Sequence, residues 1–215
     1  MSSILNIDPQ NPDVLQIEKA VGVLRNGGIV AYPTETFYAL GADAGNQKAI
    51  EKIYQIKGRN FKNPIGVIIG DMTALESLTD GFQEVAALLM EKFWPGALTL
   101  VFRASPAVST LLTADTGKIG IRVSSHPVAT ALAKLLAHPI TATSANRSGQ
   151  GEFTTAGEVV QSIGSEIDII IDAGPTPGIS GSTFIDITTS PPVVLREGAI
   201  PTSLLVPFLH SFRDH

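Results

Sequence analysis

Apolar residues at Val14, Ile17, Val21 and Leu24 recur at helical spacing, with Asn11-Pro12 placed as cap and first-turn proline and Gly27-Gly28 as a stop. Ile29-Val30-Ala31-Tyr32 then reads as a strand, and residues 46–57 as a second helix with Ala49, Ile50, Ile53 and Tyr54 on one side. Further strands are expected at 65–69, 98–103, 119–123 and 140–143, and helices at 82–93, 127–136 and 155–163. Three closely spaced strands follow at 167–171, 182–186 and 193–196. Turns rather than helices separate them, and short turns cannot make parallel crossovers. The pattern predicts an α/β fold whose sheet mixes parallel and antiparallel strands between flanking helices. Leu204, Leu205, Phe208, Leu209 and Phe212 predict a terminal helix docked on the core. With no internal repeat, low-complexity tract or long linker, residues 1–215 are expected to form one domain, its core at about 14–200 and its tail at 201–215.

Hydrophobic residues make up 44% of the chain and charged ones 16%, the balance of a protein with many buried strands rather than of a disordered one. The lack of cysteine excludes disulfides and thiolate metal sites and fits a reducing, cytoplasmic setting. No basic segment precedes an apolar run near the start, and no apolar run approaches membrane-spanning length, so neither a signal peptide nor a membrane span is expected. Twenty acidic against fifteen basic residues give a net charge of −5, the wrong sign for coating nucleic acid non-specifically. Any anion site must therefore be local. One candidate is residues 48–62, where Lys48, Lys52, Lys57, Arg59 and Lys62 stand against Glu51, a pattern that a solvated helix face produces as readily.

Strand alternation sharpens the search. In KIGIRV, Ile119, Ile121 and Val123 share one face and leave Lys118, Gly120 and Arg122 on the other. Ser182, Phe184 and Asp186 likewise alternate with Thr183 and Ile185, and Val194 and Arg196 with Val193 and Leu195. Either arginine alone is most simply a salt bridge at a sheet edge; both converging with the 57–62 cations on one cleft would be an anion site. Ser144, Asn146, Ser148 and Gly149 mark a strand-to-helix junction, where hydroxyls, an amide and free N–H groups suit an anion or a ribose but also an ordinary turn. The segment GPTPGISGST at 174–183 lacks the lysine of a phosphate loop and leads into a strand, so it reads as a mobile flap over a cleft. HExxH, GxSxG and cysteine nucleophiles are missing, and His126, His138, His210 and His215 lack metal-ligand spacing, which disfavours zinc and hydrolytic chemistry.

Taken in order, PTETFYALG at 33–41, KGRNFKNPI at 57–65, IRVSSHP at 121–127, SANRSG at 144–149, STFID at 182–186 and LREGAI at 195–200 resemble the signature of the YrdC-like family, and within it of the threonylcarbamoyl-adenylate synthases. The resemblance implies a twisted mixed sheet with helices around one positively charged cavity. It also implies condensation of L-threonine, bicarbonate and ATP, with Mg²⁺ accompanying the ATP, into threonylcarbamoyl-AMP and pyrophosphate. The product would supply a threonylcarbamoyl transferase machinery acting on tRNA, with direct tRNA contact left open.

By the same resemblance Thr34, Thr36, Arg122, Ser144 and Ser182 would bind threonine, with Glu35 and Tyr38 shaping the pocket. Lys57, Arg59, Asn63, Lys118, Asn146, Thr154 and Arg196 match ATP positions, and Lys57, Arg59 and Arg196 would neutralise charge during catalysis. Ala39, Asn60, Ile68, Lys118 and Glu197 depart from the family pattern; where Ile68 stands, some relatives place a histidine that touches threonine, and that contact is not carried over. Two alternatives stay open: a non-catalytic RNA-binding paralogue, and a related carbamoyl transferase module.

Overall fold

The computed structural model describes residues 2–210. The chain runs β1 (Ser3–Asn6), α1 (Val14–Arg25), β2 (Val30–Pro33), β3 (Tyr38–Gly41), α2 (Gln47–Lys57), β4 (Val67–Ile68), α3 (Ala74–Leu78), α4 (Glu84–Phe93) and β5 (Leu98–Arg103). It continues through α5 (Thr110–Thr113), β6 (Lys118–Arg122), α6 (Pro127–Leu136), β7 (Ile140–Thr141), β8 (Thr143–Ser144) and α7 (Ala156–Ile163). The last elements are β9 (Ile169–Asp172), β10 (Thr183–Asp186), β11 (Val193–Arg196) and α8 (Thr202–His210).

The mixed α/β reading holds, and the strands divide between two sheets, ordered β1-β9-β2-β3-β8 and β11-β10-β5-β6-β4-β7. In the first, β9 runs parallel to both β1 and β2, and the β2–β3 hairpin is antiparallel. In the second, β10 is parallel to β5 and β4 to β6, while β5–β6, β4–β7 and β10–β11 are antiparallel. The single strand expected at 140–143 is what divides them. Ile140 and Thr141 pair with β4, Thr143 and Ser144 pair with β3, and between them Ala142 N donates to Gly66 O at 2.8 Å. Thr141 adds bonds into the first sheet, its hydroxyl donating to Leu40 O at 3.0 Å and accepting from Ala42 N at 2.8 Å. One short stretch thus stitches both sheets together.

Two apolar clusters follow. Ile17, Val21 and Leu24 of α1 and Val128, Leu132 and Leu136 of α6 cover Val30, Tyr32, Ile169 and Ile171 on one face of the first sheet. On its other face Ala31, Leu40 and Ile170 join Leu98, Leu100, Phe102, Ile119 and Ile121 of the second sheet with Ile50, Ile53, Val85, Leu89 and Val159 from the helices. Each such side chain gains about 1.5–3 kcal/mol on burial.

Local chemistry sets the ends. Asp13 caps α1 by accepting from Leu15 N at 2.8 Å, so the helix begins at Val14 and Pro12 lies ahead of it rather than in its first turn. Asn46 caps α2, and Gly58 ends it in the left-handed region at φ 59°. Thr155 and Glu158 form a capping box on α7. Leu205 and Leu209 of α8 are buried and Phe208 meets Phe93 edge-on, as the tail pattern predicted; Leu204 is exposed, and Phe212 lies outside the described residues.

The turn after β4 presses on α6. A Cβ built on Gly70 would lie 2.5 Å from Lys134 N and 2.6 Å from Ala133 C, both backbone atoms that cannot swing aside. Gly70→Ala should therefore destabilise the fold by roughly 1–3 kcal/mol, lowering the melting temperature by about 3–10 °C. Thermal denaturation followed by circular dichroism checks this.

Candidate active site

A cavity of about 530 Å³ opens where the two sheets meet. Its lining includes Thr34 and Thr36 from the β2–β3 turn, Lys57 at the end of α2 with Arg59 and Asn63 beyond it, Arg122 at the end of β6, and Ser144 at the end of β8 with Asn146 beyond it, together with Ser182 before β10 and Arg196 at the end of β11. Ten predicted site residues, drawn from six stretches far apart in sequence, thus converge on one volume.

Lys118 and Thr154 do not line it. Lys118 has the predicted face, shared with Gly120 and Arg122, but stands four residues before Arg122, roughly 13 Å along an extended strand. Its ammonium pairs there with Asp186 at 2.7 Å. Thr154 donates its hydroxyl to Glu158 at 3.2 Å in the cap of α7, and its carbonyl accepts from Thr176 N at 2.9 Å. Ile68 is fully buried in the α1–α6 cluster.

The hydroxyls are wired with a definite polarity. Thr34 Oγ1 donates to Phe37 O at 2.7 Å and accepts from Thr36 N at 3.2 Å. Its proton is thereby assigned, so the 3.0 Å contact between the two hydroxyls is donated by Thr36, whose lone pairs are left for the cavity. The same logic holds at Ser144. Asn146 Nδ2 donates to Gln150 O at 2.7 Å and Gly151 O at 3.0 Å, which fixes Oδ1 as the acceptor of the 2.6 Å bond from Ser144 Oγ. Both hydroxyls present acceptors, as an amine or a hydroxyl of a ligand requires.

Gly58 turns the chain so that Lys57 and Arg59 both reach inward. Lys57 is buried and its Nζ donates to Ser144 O at 2.6 Å, Asn146 O at 2.9 Å and Asn146 Oδ1 at 3.0 Å. Its charge faces the cavity while its protons brace the 144–146 turn. Burial draws its pKa from 10.5 down to about 7; the Arg59 charge acts in the same direction, and Glu152 opposes both. Arg59 lies over the Tyr54 ring at 5.2 Å, and its Nε and Nη2 are shielded from solvent with no hydrogen-bond partner in the protein. Burial pulls the Arg59 guanidinium down as well.

Arg122 Nη1 stands 2.9 Å from Glu35 Oε1, close enough for an ion pair but without an aligned hydrogen bond. The other oxygen of Glu35 accepts from Ser124 Oγ. Glu35 therefore works from behind the wall, fixing Arg122 rather than lining the cavity. Tyr38 does line it, and its hydroxyl donates to Gly174 O at 2.8 Å.

The segment expected as a flap is tied at three points, by Tyr38 to Gly174, by Thr176 N to Thr154 O, and by Gly178 N to Thr36 O at 3.0 Å. Its Gly181 and Ser182 form one wall.

Sequence reasoning missed Phe37, Thr99 and Glu152, and noted Phe184 without giving it a role. Alternation had placed Phe184 beside Ser182, whereas Thr99 and Glu152 carried no local signal. Glu152 is the carboxylate that shares the lining with Lys57, Arg59, Arg122 and Arg196, and its charge acts on Lys57 and Arg196. Among the described residues no group of three His, Asp or Glu is arranged to hold a metal ion.

The Sua5–YciO–YrdC family model, described as "Telomere recombination", matches residues 22–198. The threonylcarbamoyl-AMP synthase of Bacillus subtilis is 44% identical over 186 residues, which cover 86% of this chain and 54% of the relative. The crystal structure of Pyrococcus abyssi Sua5 complexed with L-threonine superposes with a TM-score of 0.94 at 37% identity, covering all of this chain and 63% of that one. The crystal structure of Escherichia coli YciO gives a TM-score of 0.85 at 32% identity, covering 93% of this chain and 97% of that one. The chain thus spans between about half and two thirds of the first two relatives.

Proposed function

This chain belongs to the Sua5–YciO–YrdC family, and from that premise we propose that it makes threonylcarbamoyl-AMP from L-threonine, bicarbonate and ATP, releasing pyrophosphate, in the cytoplasm and for tRNA modification. The observation that carries the reading is the convergence of Lys57, Arg59, Arg122 and Arg196 on one cavity whose lining includes a single carboxylate, Glu152. Four cations gathered around one carboxylate repel one another unless an anion joins them.

In the proposed reaction, the threonine amine attacks bicarbonate carbon and water leaves, giving N-carboxy-threonine. A carbamate oxygen then forms a bond to the α-phosphorus, and the bond from that phosphorus to the bridging oxygen breaks, releasing pyrophosphate. Attack of one anion on another depends on neutralisation and positioning more than on a dedicated base. Arg122, steadied by Glu35, takes the threonine carboxylate; Thr36 and Ser144 offer acceptors to its amine and hydroxyl. Arg59 and Arg196 take the phosphates, and Lys57 adds charge while holding Asn146 in place. The lining donors do not resemble a resident metal site, so Mg²⁺ arrives bound to ATP as part of the substrate.

The test is pyrophosphate release by the purified chain with ATP, Mg²⁺, L-threonine and bicarbonate, each acid substrate omitted in turn, with products identified by mass spectrometry. Release that needs both and yields the threonylcarbamoyl-AMP mass supports the reading; release indifferent to threonine overturns it.

Protonation gives a second check. A bound triphosphate favours the charged form of Lys57 and raises a pKa that sits at about 7 in the free protein. At pH 8, ATP binding should take up close to one proton, with uptake vanishing toward pH 6, where Lys57 is already charged. Titration calorimetry in two buffers of different ionisation enthalpy reads the number directly; zero uptake at pH 8 would show that the ammonium is retained in the free protein.

A further inference from the structure

Arg196 is held without a direct ion pair, Glu152 acting on it only from across the cavity. It stands directly across from Phe184 in the β10–β11 pair, and its guanidinium carbon lies 4.6 Å from the centre of the Phe184 ring. Nε and Nη2 both donate to one backbone carbonyl, Ser182 O, at 3.3 and 2.9 Å. Among the described residues Arg122, Lys118 and Arg147 each have a carboxylate within ion-pair distance, and Arg196 has none.

The surroundings are shaped to this stack. A Cβ on Gly120 would lie 3.4 Å from Phe184 Cε1, so the ring edge rests near bare backbone. A Cβ on Gly181 would come within 3.0 Å of Arg196 Nη2, so the guanidinium occupies room that a side chain at 181 would contest. A long flexible side chain anchored at one carbonyl can still swing about that anchor; stacking on a ring fixes the plane of the guanidinium. A carboxylate would fix it equally well but would cancel the charge.

We infer that Phe184 is a positioning residue for the phosphate-binding end of the cavity, orienting Arg196 through a neutral face so that its full charge meets an incoming polyphosphate. The inference rests on the synthase reading only for the identity of that anion as ATP.

Titration calorimetry with ATP and Mg²⁺ on wild type, Phe184→Leu, Phe184→Tyr, Arg196→Ala and the Phe184→Leu/Arg196→Ala double variant tests it. Phe184→Leu should weaken ATP binding about 3- to 10-fold, the range of one partly exposed cation–π contact. Phe184→Tyr should bind like wild type, and L-threonine binding should stay within about twofold throughout. In the Arg196→Ala background Phe184→Leu should cost nothing more, because its effect runs through the arginine. Wild-type affinity in Phe184→Leu, or an equal loss in both backgrounds, overturns the inference. If wild type does not bind ATP, the synthase reading fails instead, and the same proteins titrated with inorganic pyrophosphate decide the stacking claim by the same non-additivity.

Discussion

Arg59→Ala should lower kcat/KM for ATP by about 10²–10⁴-fold while leaving the fold intact. Two charge-assisted hydrogen bonds are at stake, each contributing about 1.5–3 kcal/mol to binding an anion. Nε and Nη2 have no partner to lose within the protein, so removing them breaks no hydrogen bond of the free chain. The melting temperature should stay within a few degrees of wild type or rise, since cationic repulsion with Lys57 is relieved. Arg59→Lys should recover little, because a point charge cannot reproduce a fork of donors. Steady-state kinetics beside a thermal melt reads both quantities. Activity within tenfold of wild type in a folded Arg59→Ala protein would remove Arg59 from the reaction.

Lys57→Met should also abolish turnover, but by a different route. The methionine keeps the stem and loses the ammonium that bonds Ser144 O, Asn146 O and Asn146 Oδ1. Ser144 still donates to Asn146 Oδ1 and its carbonyl still accepts from Asn146 N at 2.9 Å, so Asn146 O is the backbone carbonyl left short of a donor, at about 1–3 kcal/mol. Relief of the buried charge offsets part of this. A net loss of about 1–2 kcal/mol, or roughly 2–8 °C in melting temperature, is expected together with a fall in kcat/KM of about 100-fold or more. The two variants are therefore distinguishable: both lose activity, and Lys57→Met alone loses stability. Equal stability would mean that the lysine meets the ligand and does not brace the turn.

Periodicity revealed the helices and the longer strands because their apolar faces are continuous. It missed β1, four residues on a sheet edge with a largely exposed burial pattern, and β3, whose YALG lies inside a stretch dominated by its polar neighbours. The division into two sheets was illegible for a simpler reason: it turns on Ala142, a single residue at which pairing changes partners, and pairing partners leave no trace in a local window. At the site, alternation placed Arg122, Ser182 and Arg196 on the right faces. It also placed Lys118 there, and failed because a shared face says nothing about distance along the strand. The proton directions at Thr34, Thr36 and Ser144 needed coordinates, since each hydroxyl's role is decided by what its neighbour has already donated.

The stitch at 140–144 gives the cavity a mechanical character. Its floor and walls come from two sheets held together by a shared apolar core and by the bonds around Ala142 and Thr141, so a ligand that bridges Ser144 on one side and Arg122 or Ser182 on the other adds one more tie across the seam.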